Sequence, residues 1–179
     1  MIIGLCGFKR SGKSTVGDIL IKDFGFKRLY FAEPLKNMLA TLYRSAGITD
    51  ENIIWEKLEG EAKEEYCSIL GNTPRVAMQT LGTEWRMLVD EKLWVNILIN
   101  KLKTMKNDNI VITDIRFPIE IAELKYWFPE TEIWNISRPG FGTTGHVSEQ
   151  DVSILADKLL ANDSTINALY NKVKRELDI

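Results

Sequence analysis

Two glycines, a lysine and a serine near the start of the chain are the residues whose types and spacing point most directly to chemistry. Segment 7–14 reads GFKRSGKS and matches G-x-x-x-x-G-K-S, the pattern of a phosphate-binding loop. Gly7 and Gly12 allow backbone angles that side chains forbid, so the amides of the loop can turn inward around an anion. In such a loop Lys13 reaches the β- and γ-phosphates of a nucleotide, and the Ser14 hydroxyl binds Mg²⁺.

The segments on either side of the loop supply the context that the motif requires. Residues 1–6 form an apolar run that predicts a buried strand, and residues 14–24 carry apolar side chains on one helical face. The N-terminus of that helix would add the positive end of its dipole to the anion site. A chance match in a glycine-containing turn is the alternative, and the presence of both flanking elements disfavours it. We therefore expect a nucleoside triphosphate to be bound by Gly7, Lys9, Arg10, Ser11, Gly12, Lys13, Ser14 and Thr15.

Composition limits the classes of protein to which the chain can belong. It has 179 residues, enough for one domain with a substantial core, and a formal net charge of −2. This charge offers no basic field for a nucleic-acid polymer, and no apolar run reaches the length of a membrane span. We expect no cleavable leader, because the loop begins at residue 7. Two cysteines, Cys6 and Cys67, predict no disulfide framework and favour the reducing cytoplasm.

Strand and helix patterns alternate along the rest of the chain. Further strands are predicted at 26–32, 110–113, 131–136 and 158–161. Helices are predicted at 33–46, 74–86, 91–105, 118–127 and 166–177. This alternation predicts a mostly parallel sheet with helices on both faces.

Three segments depart from this regular pattern. The glutamate-rich segment 48–72 is predicted to be a mobile, partly helical insertion, and its charges are more typical of a solvated face than of a site. Gly82 interrupts a helical pattern and predicts either a break or a close backbone contact. The glycine-rich segment 138–147 has the composition of a flexible lid.

Arginines are the candidates for holding a second substrate. A kinase with two substrates needs a second anion site facing the loop, and the planar fork of arginine binds phosphate oxygens in pairs. Four arginines lie near predicted strand ends or in segments that can fold over the site: Arg75, Arg86, Arg116 and Arg138. A surface ion pair is the alternative for any one of them, and we expect at least two at the site.

Several other polar side chains have two interpretations each. Asp114 follows a predicted buried strand, at the edge where open α/β sheets place ligands. It would hold Mg²⁺ through water or orient the acceptor, or it would only cap a turn. Lys36 would contact the acceptor or face water, and His146 would contact a ligand or lie in a solvated loop. Glu120 would pair with a neighbouring arginine, and its role is assigned as structural by default.

These pieces together make the chain resemble a bacteriophage deoxynucleoside monophosphate kinase, a branch of the P-loop kinases similar to adenylate and dephospho-coenzyme A kinases. The motifs occur in the family's order and span nearly the whole chain. They are GFKRSGKS at 7–14, FAEPLK at 31–36, RVAMQTLGTE at 75–84, DIR at 114–116, SRPG at 137–140, HVSE at 146–149 and NDS at 162–164. Their combination is far more specific than GKS alone, which many NTPases share.

The resemblance implies a P-loop kinase-type three-layer α/β/α fold over a single domain, 1–179. It implies a five-stranded parallel sheet, a lid loop at 138–147 and a helical acceptor-binding region with its insertion at 48–72. The implied reaction is transfer of the γ-phosphoryl group of ATP to a deoxynucleoside 5′-monophosphate, with Mg²⁺.

Catalytic roles are expected for Lys13, Asp114, Arg116 and Arg138. Metal positions are Ser14 and Asp114. The acceptor positions are Lys36, Arg75, Gln79, Arg86 and Arg116. Asn162 matches a loop beside the donor adenine.

Departures from the family pattern leave some points open. The last motif is usually N-D-G, and Ser164 would be strained here if that turn required a positive φ at its third position. The region between Gly47 and Thr73, where the choice of acceptor base is expected to be made, is shorter than in larger relatives. The base preference of those relatives therefore cannot be transferred to this chain.

Two alternative functions also stay open. They are another small-molecule P-loop kinase, acting on a ribonucleotide or dephospho-coenzyme A, and a nucleotide-binding switch, for which the chain lacks the N-K-x-D guanine signature. The expected partner is a small nucleotide, without a nucleic-acid polymer or a membrane, and a homodimer is an open alternative. The expected location is the cytoplasm, that of the host if the gene is viral.

Overall fold

A computed structural model describes residues 1–141 and 151–178 of the chain. Its strands are β1 (Ile2–Cys6), β2 (Lys27–Leu29), β3 (Ile110–Ile112), β4 (Glu132–Ser137) and β5 (Lys158–Ala161). They form one sheet in the order β2-β3-β1-β4-β5, and every neighbouring pair is parallel. The predicted five-stranded parallel sheet is therefore confirmed, with β1 at its centre.

Helices lie between β1 and β2, between β2 and β3 and between β3 and β4, and one helix follows β5. They are α1 (Lys13–Phe24), α2 (Glu33–Ser45), α3 (Glu51–Glu59), α4 (Pro74–Leu88), α5 (Leu93–Lys103), α6 (Pro118–Trp127) and α7 (Ile166–Glu176). Among the described residues, no helix is both long enough and apolar enough to cross a lipid bilayer.

The chain divides into two compact units, each described here by itself. The sheet unit comprises Met1–Phe31 and Val95–Ile179, and the helical unit comprises Ala32–Trp94. The organisation of the chain as a single kinase domain stays a prediction.

The sheet unit has three layers because successive side chains of each strand point to opposite faces. Ile2 and Cys6 of β1 pack on one face, in a core to which α5 and α6 contribute. Ile3 and Leu5 pack on the other face, in a core to which α1 and α7 contribute. Both faces of the central strand are thus covered, which explains why β1 is apolar throughout rather than alternating.

The helical unit builds its own small core from α2, α3 and the segment that follows α3. The buried side chains of this core are Leu39, Ala40, Tyr43, Ile54, Leu58 and Cys67. Segment 48–72 is partly helical, as predicted, and contains α3 and a 3₁₀ turn at Glu61–Glu64. Ile54 and Leu58 lie one helical turn apart and are both buried, so the apolar residues among the glutamates explain why this segment folds.

The predicted break at Gly82 is wrong, because α4 runs through this position without interruption. A Cβ atom at Gly82 would lie 3.3 Å from Cδ1 of Leu35. The glycine therefore allows a leucine side chain of α2, rather than a backbone segment, to pack closely against α4. The helix predicted at 91–105 is also shorter than expected and spans Leu93–Lys103.

Strand β5 offers a direct test of this packing, because adjacent leucines point to opposite faces. Leu160 is 2% exposed and Leu159 is 69% exposed. We expect Leu160→Ala to lower the free energy of unfolding by about 2–5 kcal/mol, through lost burial and the cavity left behind. Leu159→Ala, the matched control, is expected to cost less than about 1 kcal/mol. Urea unfolding of both variants measures this, and equal losses would contradict the assigned strand orientation.

Candidate functional site

The phosphate-loop motif connects the end of β1 to the start of α1 through three residues with positive φ. Gly7 has a φ of 126° and Gly12 a φ of 108°, and Arg10 between them also has a positive φ, 66°. The turn is closed by the Ser11 amide, which donates to the carbonyl oxygen of Phe8 at 3.1 Å. Both glycines therefore occupy the left-handed region that disfavours any side chain.

Space around the two glycines is as restrictive as their backbone angles. A Cβ atom on Gly7 would lie 2.2 Å from the carbonyl oxygen of Ile136, at the end of β4. A Cβ atom on Gly12 would lie 2.4 Å from Nδ2 of Asn162, just after β5. The loop is thus seated against the ends of the two strands on one side of β1, and only glycine fits at both contact points.

Lys13 and Ser11 give the loop the character of an anion site. The ammonium group of Lys13 donates to the carbonyl oxygens of Gly7 and Phe8, at 2.6 and 2.8 Å. Ser11 is 1% exposed, and its hydroxyl finds no hydrogen-bond partner among the described residues. A cation held at the loop and a buried hydroxyl without a partner both fit the oxygens of a phosphate chain.

The two predicted metal positions, Ser14 and Asp114, differ in their exposure and contacts. Ser14 is exposed in the first turn of α1. Asp114 follows β3 and is half-buried, and its Oδ1 accepts a hydrogen bond from the Phe31 amide at 2.9 Å. This bond agrees with the turn-capping interpretation for one carboxylate oxygen. Within residues 1–141 and 151–178, no three His, Cys, Asp or Glu side chains cluster as a metal cage.

Glu120 fixes the backbone around Arg116. Its Oε2 accepts hydrogen bonds from the amides of Arg116 and Phe117, at 2.7 and 3.0 Å, and the residue is 4% exposed. The carboxylate thereby satisfies amides at the start of α6, while the Arg116 residue itself is exposed. The structural role expected of Glu120 is thus visible as a bond to the backbone of the arginine.

The remaining candidates of the sheet unit are solvent-exposed cations. Arg138 follows β4, and its guanidinium carbon lies 5.2 Å from the ring centroid of Phe141. Lys9 and Arg10 are exposed on the loop. The predicted lid at 138–147 is described only as far as residue 141, and His146 lies outside the described residues.

The acceptor candidates of the helical unit lie on α2 and α4. Arg75, Gln79 and Arg86 are four and then seven residues apart, so they follow one face of α4. Arg75 donates from Nε to Glu64 Oε1 at 2.6 Å, and Lys36 donates to Glu59 Oε1 at 2.9 Å. Arg75 thus makes the kind of ion pair that was its alternative interpretation. Lys36, whose alternative was to face water, also contacts a glutamate.

Sequence reasoning missed Asn135, which lies in β4 opposite Cys6 of β1. It is buried, and its Oδ1 accepts a hydrogen bond from the Cys6 thiol at 3.7 Å. The same oxygen lies 3.2 Å from the position of a Cβ on Gly7. The sequence contains one hint of this contact, a polar asparagine within the strand EIWNIS. Only the register of β4 against β1 shows that this asparagine lies next to the loop.

Asn162 contacts the phosphate loop, and its position beside the donor adenine stays a prediction. Its Nδ2 donates to the carbonyl oxygen of Ser11 at 3.0 Å, so its side chain contacts the phosphate loop itself. Arg10 and Asp178 are the non-glycine residues with positive φ in the described part of the chain. Ser164 is not among them, and the strain considered for that position does not arise.

Comparison with known proteins gives the chain its family. A family model described as deoxynucleotide monophosphate kinase matches residues 1–70 and 63–173. The chain belongs to the deoxynucleotide monophosphate kinase family. A putative deoxynucleotide monophosphate kinase of Acanthamoeba polyphaga mimivirus is 31% identical, over 97% of this chain and 94% of the relative. A deoxynucleoside-5′-monophosphate kinase of Escherichia phage T5 is 41% identical over 66 residues, which are 36% of this chain and 26% of the relative.

Solved structures agree with this family at the level of the fold. Dephospho-CoA kinase from Campylobacter jejuni aligns with a TM-score of 0.52 at 13% identity, over 99% of this chain and 95% of that one. Shikimate kinase from Aquifex aeolicus aligns with a TM-score of 0.50 at 16% identity, over 99% and 96%. The family member described here thus has the P-loop kinase fold, and it is a phosphotransferase.

The thiol of Cys6, at the end of β1, makes the stability of this kinase depend on pH. Burial raises the pKa of Cys6 to about 11 from 9.0, and nearby Lys13 opposes the shift. The folded state therefore holds the proton more tightly than the unfolded chain does. The stabilisation is complete below pH 9 and is lost as the pH rises toward 11.

Between pH 9 and pH 11, we expect the free energy of unfolding to fall in the unmodified chain. This fall should exceed the one seen in Cys6→Ala by about 2–3 kcal/mol. Urea titrations at several pH values measure it. The variant serves as the control for lysines and tyrosines, which titrate in both proteins. Parallel pH profiles would show that the thiol is not the group responsible.

Proposed function

We propose that this chain transfers the γ-phosphoryl group of ATP to a deoxynucleoside 5′-monophosphate and releases ADP and the deoxynucleoside diphosphate. The observation that carries the proposal is the conformation of segment 7–14. Its two glycines have positive φ, the Lys13 ammonium group is bound to carbonyl oxygens of the loop, and the Ser11 hydroxyl is buried without a partner among the described residues. Membership of the deoxynucleotide monophosphate kinase family supports the choice of acceptor class.

The donor triphosphate is assigned to the loop and the first turn of α1. Backbone amides of the loop would bind the phosphate oxygens, and Lys13 would leave its carbonyl partners to compensate the charge that develops during transfer. Ser14 and Asp114 would hold Mg²⁺, which would supply positive charge to offset the charge of the phosphates. Arg116 and Arg138 are proposed to stabilise the transferred group.

The acceptor monophosphate is assigned to the face of α4 that carries Arg75, Gln79 and Arg86, with Lys36 of α2. Nε and Nη2 of Arg75 both contact Oε1 of Glu64, and a phosphate would offer the guanidinium group two oxygens with more charge. On acceptor binding, the phosphate would replace the Glu64 carboxylate as the partner of the Arg75 guanidinium group. The expected compartment is the cytoplasm, that of the host if the gene is viral.

Coupled detection of ADP tests the reaction directly. The assay uses ATP and Mg²⁺ with dTMP, dGMP, dCMP, dAMP, the ribonucleotides or dephospho-coenzyme A, and one arm contains no acceptor. We expect turnover that requires a deoxynucleoside monophosphate. Turnover only with ribonucleotides or dephospho-coenzyme A would reject the acceptor class, and ADP release without any acceptor would indicate a switch rather than a transferase.

Lys13 is the side chain whose loss should abolish transfer most completely. We expect Lys13→Ala to lower kcat at least about a thousandfold, because the cation that compensates the phosphate charge is gone. Lys22→Ala, an exposed lysine near the end of the same helix, is the matched control and should retain normal kcat. Circular dichroism checks that both variants are folded. A folded Lys13→Ala enzyme with near-normal kcat would refute the role of the loop.

Arg75 separates acceptor binding from donor binding. We expect Arg75→Ala to raise KM for the deoxynucleoside monophosphate about tenfold or more and to leave KM for ATP within twofold. Arg44→Ala is the matched control, since Arg44 makes a similar pair with Glu51 but has no proposed role. Equal kinetic constants for the two variants would assign Arg75 to a surface ion pair.

A further inference from the structure

A hydrogen bond links the turn after β5 to the phosphate loop, 151 positions away in sequence. Nδ2 of Asn162 donates to the carbonyl oxygen of Ser11 at 3.0 Å, and the bond is partly buried. The same nitrogen lies 2.4 Å from the position that a Cβ on Gly12 would occupy. The amide group thus packs directly against the peptide that joins Ser11 to Gly12.

Asn162 is itself held firmly from two sides. Its own amide donates to the carbonyl oxygen of Ser137, at the end of β4, at 2.7 Å. The ammonium group of Lys172, on α7, donates to the carbonyl oxygen of Ala161 at 2.6 Å and to Asp163 Oδ1 at 2.7 Å. The residues before and after Asn162 are therefore tied to the same lysine, and the asparagine projects from a fixed backbone.

The geometry of a peptide group gives this bond a consequence for the anion site. A trans peptide is planar, and its C=O and N–H bonds point in opposite directions. A donor that fixes the carbonyl of Ser11 on one side therefore also fixes the amide of Gly12 on the other. Without the donor, this peptide, flanked by a glycine of positive φ, is free to rotate, and the loop loses the orientation of one phosphate-binding amide.

We propose that Asn162 is a positioning residue that holds the phosphate loop in its anion-binding conformation. It acts through the Ser11–Gly12 peptide and on the phosphate chain of the donor, whichever base that donor carries. The inference rests on the proposed function in one respect, namely that segment 7–14 binds the triphosphate of the donor. It differs from a contact with the donor base, which would make Asn162 a determinant of ATP specificity.

Binding of inorganic tripolyphosphate tests the proposal, because this probe has the phosphate chain but no nucleoside. Titration calorimetry would compare tripolyphosphate, ATP and GTP, each with Mg²⁺, on the full chain and on Asn162→Ala and Asn162→Asp. We expect both variants to bind tripolyphosphate and ATP about tenfold more weakly, by the same factor for each, because a half-buried carbonyl has lost its donor. The preference for ATP over GTP should stay within twofold of normal.

Two controls separate positioning from other effects. Asn171→Asp makes the same chemical change on an exposed residue of α7 and should bind all three ligands normally, which isolates the effect of added charge. Steady-state kinetics should show a raised KM for ATP with an unchanged KM for the deoxynucleoside monophosphate. General destabilisation would instead reduce the amount of active enzyme and leave the dissociation constants of the folded fraction unchanged.

The outcomes distinguish the inference from the function on which it rests. Normal tripolyphosphate binding by Asn162→Ala would overturn the positioning role and leave the phosphate loop intact. Weaker binding of ATP alone, with normal binding of tripolyphosphate, would overturn it in favour of a contact with the nucleoside. Failure of the unmodified chain to bind either ligand would overturn the proposed function and the positioning role together.

Discussion

The orientation of a few peptide groups between β1 and α1 is the constraint on which the rest of the structure depends. The amides of the loop can converge on an anion because the backbone has positive φ at Gly7 and Gly12, a conformation that glycine allows but does not hold by itself. It persists because neighbouring strands over-determine it. Ile136 and Asn135 close the space beside Gly7, and Asn162 closes the space beside Gly12 and bonds to the adjacent carbonyl.

The parallel sheet explains why such distant residues meet at one place. When all strands run in one direction, their carboxyl ends share an edge, and whatever follows each strand is brought to that edge. The loop follows β1, Asp114 follows β3, Arg138 follows β4 and Asn162 follows β5. The architecture thus brings a loop, a carboxylate, a guanidinium group and an amide to this edge from four separate segments, each of which follows a strand.

The sequence contains enough information for the elements and much less for their contacts. The helix expected at 118–127 has those bounds, and the apolar runs that become β1 and β3 were evident because both faces of each strand are buried. The bond from Asn162 to Ser11 was not predictable, because it depends on the registers of β4 and β5 relative to β1. The two alternatives at Gly82, a break and a close contact, could not be separated for a related reason. A glycine can serve close packing, here against Leu35, and nothing local distinguishes the two uses.

The central claim is that segment 7–14 holds the donor phosphates while cations from later in the chain hold an acceptor nucleotide. A crystal structure with Mg²⁺ and a bisubstrate analogue, adenosine joined to a deoxynucleoside through a phosphate chain, tests this most directly. The account predicts phosphate oxygens within hydrogen-bond distance of the loop amides and Lys13 at one end, and of Arg75 or Arg116 at the other. A phosphate chain bound away from the loop, or an acceptor end that contacts none of these arginines, would contradict it.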